Sequence, residues 1–218
     1  MAASQREPAF DDLTARARIR EAAMEQFAEQ GFERTTIRGI AAAAGVSPGL
    51  LRHHYGSKAE LRGAVDAHVL QEIRRVSEEV LEDWAGGDMF RAAMSRQALR
   101  PFRGYLARAL LDNSPLIGPL FDEMVEYGLR SVEQADEQRT DIPMADARTR
   151  AAVITAMSLG IPLLRQHLSR VLGVDVFTDE GEQALALAAL DLYSHALISP
   201  ELAERARAGY EAASRSPR

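Results

Sequence analysis

Residues 36–61 read TIRGIAAAAGVSPGLLRHHYGSKAEL, and this stretch predicts two short helices joined by a tight turn. Gly45 is suited to the left-handed conformation that ends a helix. Ser47 is a good N-cap residue, and Pro48 directly after it suits the first turn of the next helix. The small residues 41–44 allow the two helices to approach closely. The pattern predicts a helix-turn-helix, whose second helix is the one that enters a major groove of DNA.

The same region is a basic island in an acidic chain. Residues 34–58 contain four basic residues, Arg34, Arg38, Arg52 and Lys58, and no acidic residue, whereas the 218-residue chain carries a formal net charge of −6. For the turn alone, a helical hairpin with solvated charges is the alternative interpretation. The absence of acid over this stretch favours contact with polyanionic DNA.

Three helix N-termini are expected in this segment, near Thr36, near Ser47 and near residues 57–58. Each presents unpaired N–H groups and a partial positive charge, so each is a candidate seat for a phosphate. Guanidinium groups can fork onto guanine or phosphate, imidazoles can donate to phosphate, and a glycine lets the backbone approach DNA. Residues of these types in the segment are Arg38, Arg52, His53, His54 and Gly49.

Length and composition describe an ordinary globular protein. Hydrophobic residues make up 46% of the chain and charged residues 27%, so neither a disordered nor a fibrous protein is expected. The chain contains no cysteine, which excludes disulfides, thiolate metal sites and cysteine nucleophiles and suits a reducing cytoplasm. The longest apolar-leaning stretch without charge, residues 151–164, is too short to span a membrane. The N-terminus lacks the apolar core of a signal peptide.

Almost the whole chain is predicted to be helical. Sustained alternation of apolar and polar residues, the signal of a half-buried strand, is missing, and Gly and Pro fall at intervals suited to helix ends. The expected helices span about residues 12–30, 37–44, 48–55, 58–84, 88–111 (bent at Pro101), 115–138, 145–172 (kinked at Pro162), 179–198 and 200–213. The predicted fold class is all-α, with a three-helix head, a helical body and about nine helices.

The segment from about residue 16 to residue 62 resembles the N-terminal signature of TetR/AcrR-type transcriptional regulators. The matching positions are Phe27, Gly31, Phe32, Thr36, Ile40, Ala41, Ala44, Gly45, Val46, Ser47, Gly49, Leu51, His54, Ser57, Lys58 and Leu61. The resemblance implies a DNA-binding domain over residues 1–62 and a ligand-binding and dimerisation domain over residues 63–218. It also implies phosphate contacts from Thr36, His54 and Lys58, and base-edge contacts from Arg38 and residues 48–50.

The residues and the resemblance together give ten candidate DNA-binding residues. They are Thr36, Arg38, Ser47, Pro48, Gly49, Leu50, Arg52, His53, His54 and Lys58. Two of them depart from the family pattern, which often has Thr in place of Leu50 and commonly has Tyr in place of Arg52. A leucine can contact a thymine methyl and an arginine can reach guanine or phosphate, so the operator sequence cannot be copied from relatives.

A dimer is expected because one head offers few contacts, whereas two heads can read a palindromic DNA operator. The helix over residues 179–198 is apolar nearly all round between Ala184 and Leu192, which indicates burial on several sides. This helix and the one over residues 145–172 form the predicted dimer surface, with a core helix of a monomer as the alternative. The predicted interface residues are Leu159, Leu163, His167, Leu185, Ala188, Leu192 and His195.

The resemblance also implies that the body binds a small-molecule effector. The predicted lining residues are Trp84, Phe102, Arg103, Tyr105, Phe121, Met124, Tyr127 and Met157, with Phe90, Asn113, Arg165 and His167 as further candidates. Ordinary core packing is the alternative role for most of the apolar ones. No cofactor and no metal are expected, since the histidines at 68, 167 and 195 lack metal-ligand spacing.

The long fourth helix is expected to link the head to the body. It is about 40 Å long, so a tilt of about 5° displaces one end by about 3–4 Å. Recognition helices must lie about 34–36 Å apart to read successive grooves, so we expect an effector to select a conformation with the wrong head spacing. The rival functions are an all-helical enzyme or carrier that uses no DNA, against which the acid-free segment argues, and a protein-interaction adaptor.

Overall fold

A computed structural model describes residues 10–85, 97–195 and 197–215 of the chain. The described residues form ten α-helices and no strand, which confirms the predicted all-α class. The helices are α1 (Phe10–Arg34), α2 (Ile37–Ala43), α3 (Pro48–Tyr55), α4 (Lys58–Ala85), α5 (Arg103–Leu111), α6 (Ile117–Asp136), α7 (Ala147–Leu163), α8 (Arg165–Leu172), α9 (Asp179–Ser194) and α10 (Pro200–Arg215). A short 3₁₀-helix, Arg100–Phe102, precedes α5.

Helices α1 to α4 form the head around side chains that each helix contributes. Ile19 of α1, Ile40 of α2 and Leu51 of α3 are fully buried in one cluster. The hydroxyl of Tyr55, at the end of α3, donates a hydrogen bond of 2.8 Å to the carbonyl oxygen of Arg16. This bond joins α3 to α1, so the helix-turn-helix is held on a supporting helix.

Helix α1 extends past its predicted end at residue 30, but it is interrupted at Gly31, where φ is +79°. Glycine adopts this conformation without the steric cost that a Cβ brings. The buried hydroxyl of Thr35 donates to the carbonyl oxygen of Gly31 at 2.8 Å. The bond satisfies a carbonyl at the interruption and fixes the path from α1 into α2.

The core of the head continues into the body without a break. Val65 of α4, Tyr105 of α5 and Leu120 of α6 belong to the same buried cluster as the head residues. The hydroxyl of Tyr105 donates to the carboxylate of Asp66 on α4, and burial raises the pKa of that carboxyl. Helix α5 also packs against α1. The buried core thus extends across residue 62, and the division into a DNA-binding domain and a ligand-binding domain at that point stays a prediction.

The second half of the chain departs from the predicted helix limits at two places. The helix expected over residues 145–172 is interrupted at Leu164, two residues after Pro162, which lies inside α7. The kink expected at Pro162 is thus a division into α7 and α8. The helix expected over residues 179–198 ends at Ser194. Of the helix expected over residues 88–111, residues 88–96 lie outside the described part of the chain.

None of the helices in the described part of the chain combines the length and the apolar character that crossing a membrane requires.

Candidate nucleic-acid interface

The turn between α2 and α3 closes with two backbone hydrogen bonds. The N–H of Val46 donates to the carbonyl oxygen of Ala41 at 2.9 Å, and the N–H of Gly45 donates to that of Ala42 at 3.2 Å. This is the Schellman arrangement, which needs a left-handed residue after the helix, and Gly45 supplies it with φ at +67°. The backbone itself therefore fixes the angle between α2 and α3.

Helix α3 turns one continuous face toward solvent. Ser47 caps its N-terminus by accepting a hydrogen bond of 3.1 Å from the N–H of Leu50. Leu51 and Tyr55 are buried against the core, so the opposite side of the helix faces outward. The exposed residues of α3 are Pro48, Gly49, Leu50, Arg52 and His53, all members of the predicted set, while His54 is half-buried.

Helix α2 brings a second capped N-terminus beside α3. The side-chain oxygen of Thr36 accepts a hydrogen bond of 3.0 Å from the N–H of Gly39, so its own proton can be donated to a phosphate. Neither α2 nor α3 has an acidic residue in its first turn. Within the described residues, the exposed Arg38 and Arg52 form no ion pair. Two positive helix ends and two unneutralised guanidinium groups thus lie on consecutive helices.

Lys58 is engaged by the end of α1. Its ammonium group donates to the carbonyl oxygens of Phe32 at 2.8 Å, Thr35 at 3.0 Å and Glu33 at 3.3 Å. The same nitrogen lies 4.3 Å from the centre of the Phe32 ring. Since an ammonium group has three N–H donors, these carbonyls occupy all of them. A phosphate contact of Lys58 stays a prediction, and it competes with these bonds.

The N-terminus of α4 is already occupied by a carboxylate. The N–H of Ser57 donates to Glu60 Oε2 at 2.8 Å, and the N–H of Glu60 donates to the hydroxyl of Ser57 at 3.1 Å. The hydrogen bonds from Ser57 lower the pKa of the Glu60 carboxyl. Two of the three expected phosphate seats therefore stay open. This capping box is absent from the sequence predictions, although Ser and Glu three residues apart before a helix are its signal.

The predicted effector-binding residues do not line one cavity in the described structure. They are distributed over three hydrophobic clusters, with Phe102, Tyr105 and Met124 in the core shared by head and body, Tyr127 beside Val76 and Val80, and Phe121 between α6 and α7. Arg103 forms an ion pair with Glu182 of α9, and Met157 is 59% exposed. The side chain of Trp84 and all of Phe90 lie outside the described residues. The effector site stays a prediction.

A cavity of about 170 Å³ lies between α1 and the 3₁₀-helix. Its lining residues are Met24, Glu25, Ala28, Glu29 and Pro101. None of these residues belongs to the predicted effector-binding set, so the cavity does not support that set.

Helices α7 to α9 expose an extensive apolar surface. Their large hydrophobic side chains in contact with solvent include Val153, Met157, Leu163, Val171, Leu172, Leu187, Leu190, Leu192 and Tyr193. Of the predicted interface residues, Leu163, His167, Ala188, Leu192 and His195 are exposed, and Leu159 and Leu185 are half-buried. Among the described residues of α9 only Gly181 is buried. Burial of α9 inside a monomer is therefore wrong, and its apolar surface needs another cover.

Two family models match consecutive parts of the chain. The model of bacterial regulatory proteins of the tetR family matches residues 19–65, which hold most of α1, all of α2 and α3, and the start of α4. The model of a tetracyclin repressor-like C-terminal domain matches residues 97–199, which hold α5 to α9.

Curated relatives and solved structures agree with these models. The HTH-type transcriptional regulatory protein RaaS of Mycobacterium tuberculosis is 33% identical over 192 residues, covering 88% of this chain and 84% of the relative. The HTH-type transcriptional repressor Rv3405c of the same organism is 33% identical over 164 residues, covering 75% of this chain and 80% of the relative. A crystal structure of a gamma-butyrolactone receptor (ArpA-like protein) has 25% identity and a TM-score of 0.56, covering 72% of this chain and 82% of that one.

Proposed function

Because the chain belongs to the TetR family of bacterial transcriptional regulators, we propose that it is a homodimeric repressor that a small-molecule effector releases from a palindromic DNA operator. The chain is a transcriptional regulator and not an enzyme. The observation that carries the proposal is the outward face of α2 and α3. This face has two open helix N-termini, two guanidinium groups without an ion-pair partner among the described residues, and no carboxylate in either first turn.

In the proposed complex, α3 enters the major groove and α2 crosses the backbone. The N-terminal residues of a recognition helix reach base edges, which assigns Gly49, Leu50 and Arg52 to the groove floor. The hydroxyl of Thr36 and the first N–H groups of α2 and α3 bind phosphates. Arg38 is proposed to read a base edge, since its fork geometry matches guanine. Phosphate contacts position the head, and the base contacts select the sequence.

The second subunit is proposed to cover the apolar surface of α7 to α9. The exposed apolar side chains of these helices are candidates for a protein–protein interface, and an isologous contact between two copies buries the same residues on both. The pairing sets two α3 helices on one side of the dimer, and a two-fold axis between them implies a palindromic operator.

Effector release is proposed to act through the contacts of the head with the body. Helix α4 has 28 residues and is about 42 Å long. It shares the buried core with α5, and the Tyr105–Asp66 hydrogen bond joins the two helices. A ligand that favours a different packing of α5 therefore tilts α4 and changes the spacing of the two heads.

The test is a gel shift with DNA from upstream of the gene that encodes this protein. The natural chain is expected to bind one fragment in excess random DNA, and more weakly at about 200 mM than at about 50 mM salt. Arg38→Ala is expected to cost about 1–3 kcal/mol on that fragment and to reduce its preference over random DNA. Arg130→Ala, a change of an exposed arginine on α6, is the matched control and is expected to leave binding unchanged.

Two results would contradict the proposal. A chain that binds no duplex at low salt is no DNA-binding repressor. If Arg38→Ala lowers the affinity for specific and random DNA equally, Arg38 does not read sequence.

A further inference from the structure

Helix α10 is almost entirely exposed to solvent. Of residues 200–213, only Ala203 is half-buried and all the others are exposed. Leu202 is 45% exposed and Tyr210 is 80% exposed. Between α9 and α10, Leu197 is 80% exposed and Ile198 is 52% exposed. A 16-residue amphipathic helix is only marginally stable alone in water, so its apolar side indicates a packing partner.

The apolar side of α10 is one narrow stripe. At 100° per residue, positions 202, 206, 209, 210 and 213 fall within about a quarter of the helix circumference. The stripe consists of Leu202, Ala206, Gly209, Tyr210 and Ala213. The small residues in its middle allow a second helix to approach closely. The stripe therefore fits the surface of another helix.

The opposite side of α10 is charged but neutralised within the helix. Arg207 pairs with Glu204 and with Glu211, one turn away in each direction. Residues 200–215 contain three acidic and three basic residues. A helix that lies on a membrane or on nucleic acid carries an excess of cations. A net charge of zero favours an apolar protein surface as the partner.

The position of α10 beside α9, together with its exposure in the single chain, points to a second copy as the owner of that surface. Only five residues separate the end of α9 at Ser194 from the start of α10 at Pro200. Helix α10 therefore begins at the edge of the exposed apolar surface of α7 to α9, and its length of about 24 Å exceeds the width of two packed helices. The matched C-terminal domain ends at residue 199, so α10 lies beyond the part of the body that the family model covers.

We propose that α10 is an arm that packs its Leu202–Tyr210 stripe against the α7–α9 side of the second copy. This inference rests on the proposed homodimer. Because the contact is isologous, each dimer contains two arms, and any change in the stripe acts twice. The arms enlarge the interface beyond the helices that the family model covers and strengthen the dimer.

The dissociation constant of the dimer tests the proposal, measured by analytical ultracentrifugation with the full-length chain. Leu202→Ala combined with Tyr210→Ala is expected to raise it at least about tenfold, which corresponds to about 1.4 kcal/mol. Glu204→Ala combined with Glu211→Ala, on the opposite side of the same helix, is the matched control and is expected to change it less than about threefold, or about 0.7 kcal/mol. Circular dichroism of each variant at dimer-saturating concentration reports whether the helix content is kept.

A crosslinking measurement identifies what the arm touches. The chain has no cysteine, so Ala213→Cys provides one attachment point for a photoreactive benzophenone at the end of the stripe. The labelled chain is mixed with unlabelled, isotopically heavy natural chain, and peptides from α7 to α9 of the heavy chain are expected in the crosslinks. The proposed arm would be contradicted if crosslinks formed only within the light chain. It would also be contradicted if both double variants had equal dissociation constants. A natural chain that stays monomeric would overturn the homodimer itself.

Discussion

At the scale of single residues, Lys58 illustrates what a motif leaves open. Its place in the signature implies a phosphate contact, yet its ammonium group binds three carbonyl oxygens at the end of α1. Those carbonyls are brought to it by the packing of α4 against α1, across 23 to 26 residues of sequence. The contact of Lys58 with these carbonyl oxygens depends on tertiary packing, so no local pattern predicts it.

Lys58→Ala is expected to destabilise the protein as well as to weaken DNA binding. Loss of a charged donor that satisfies these carbonyls costs about 1–3 kcal/mol, measured as the free energy of unfolding in urea. Arg52→Ala is the control, since Arg52 is exposed without an ion pair in the described residues and its loss should change stability by less than about 0.5 kcal/mol. Weaker DNA binding with unchanged stability in Lys58→Ala would assign the ammonium group to phosphate instead.

At the scale of elements, the accuracy of the predicted limits follows the strength of the local signal. Helices α2 and α3 begin and end within one residue of their predicted limits, because Thr36, Ser47 and Gly45 are caps that act within one turn of the chain. The outward face of α3 follows from the same spacing. The members of the effector-binding set lie in separate hydrophobic clusters because they come from helices whose relative packing no local pattern encodes, and the set stays a prediction.

The start of α9 depends on a glycine that no sequence pattern singles out. A Cβ at Gly181 would lie 2.2 Å from the carbonyl oxygen of Asp175 and 2.6 Å from the Cα of Val176. Both atoms are backbone, so only a shift of the α8–α9 turn relieves the clash. The turn holds α9 in place together with the ion pair of Glu182 and Arg103.

Gly181→Ala is therefore expected to lower the free energy of unfolding by about 1–3 kcal/mol, as overpacking does. Gly63→Ala is the matched control, because Gly63 lies inside α4 and a Cβ there would meet no neighbouring heavy atom within 4 Å beyond the backbone of its own helix. Alanine is the better helix former, so this change should stabilise the protein by about 0.5–1 kcal/mol. Equal urea midpoints for the two variants would mean that the turn before α9 accommodates the added Cβ without loss of stability.

At the scale of the whole molecule, the head and the body share one buried core. The core runs from α1 through α6, and Tyr105 joins α5 to α4 at Asp66. The predicted boundary falls after residue 62 because the signature ends there. A motif marks the limits of a local function, whereas the core is decided by which apolar side chains meet in space.

A rigid head makes the spacing of the operator half-sites a strict requirement. Inserting five base pairs between them turns one half-site by about half a helical turn, given about 10–10.5 base pairs per turn, and moves it about 17 Å along the axis. Because the head shares its core with α5 and α6, we expect that it does not rotate to follow the displaced half-site. The affinity in a gel shift is expected to fall to that of a single half-site.

The control is an operator of the original length in which the bases between the two half-sites are replaced by others. This operator should keep most of its affinity. Equal binding to the inserted operator would mean that the two heads move independently of the body, and the proposed release by altered head spacing would then fail with it.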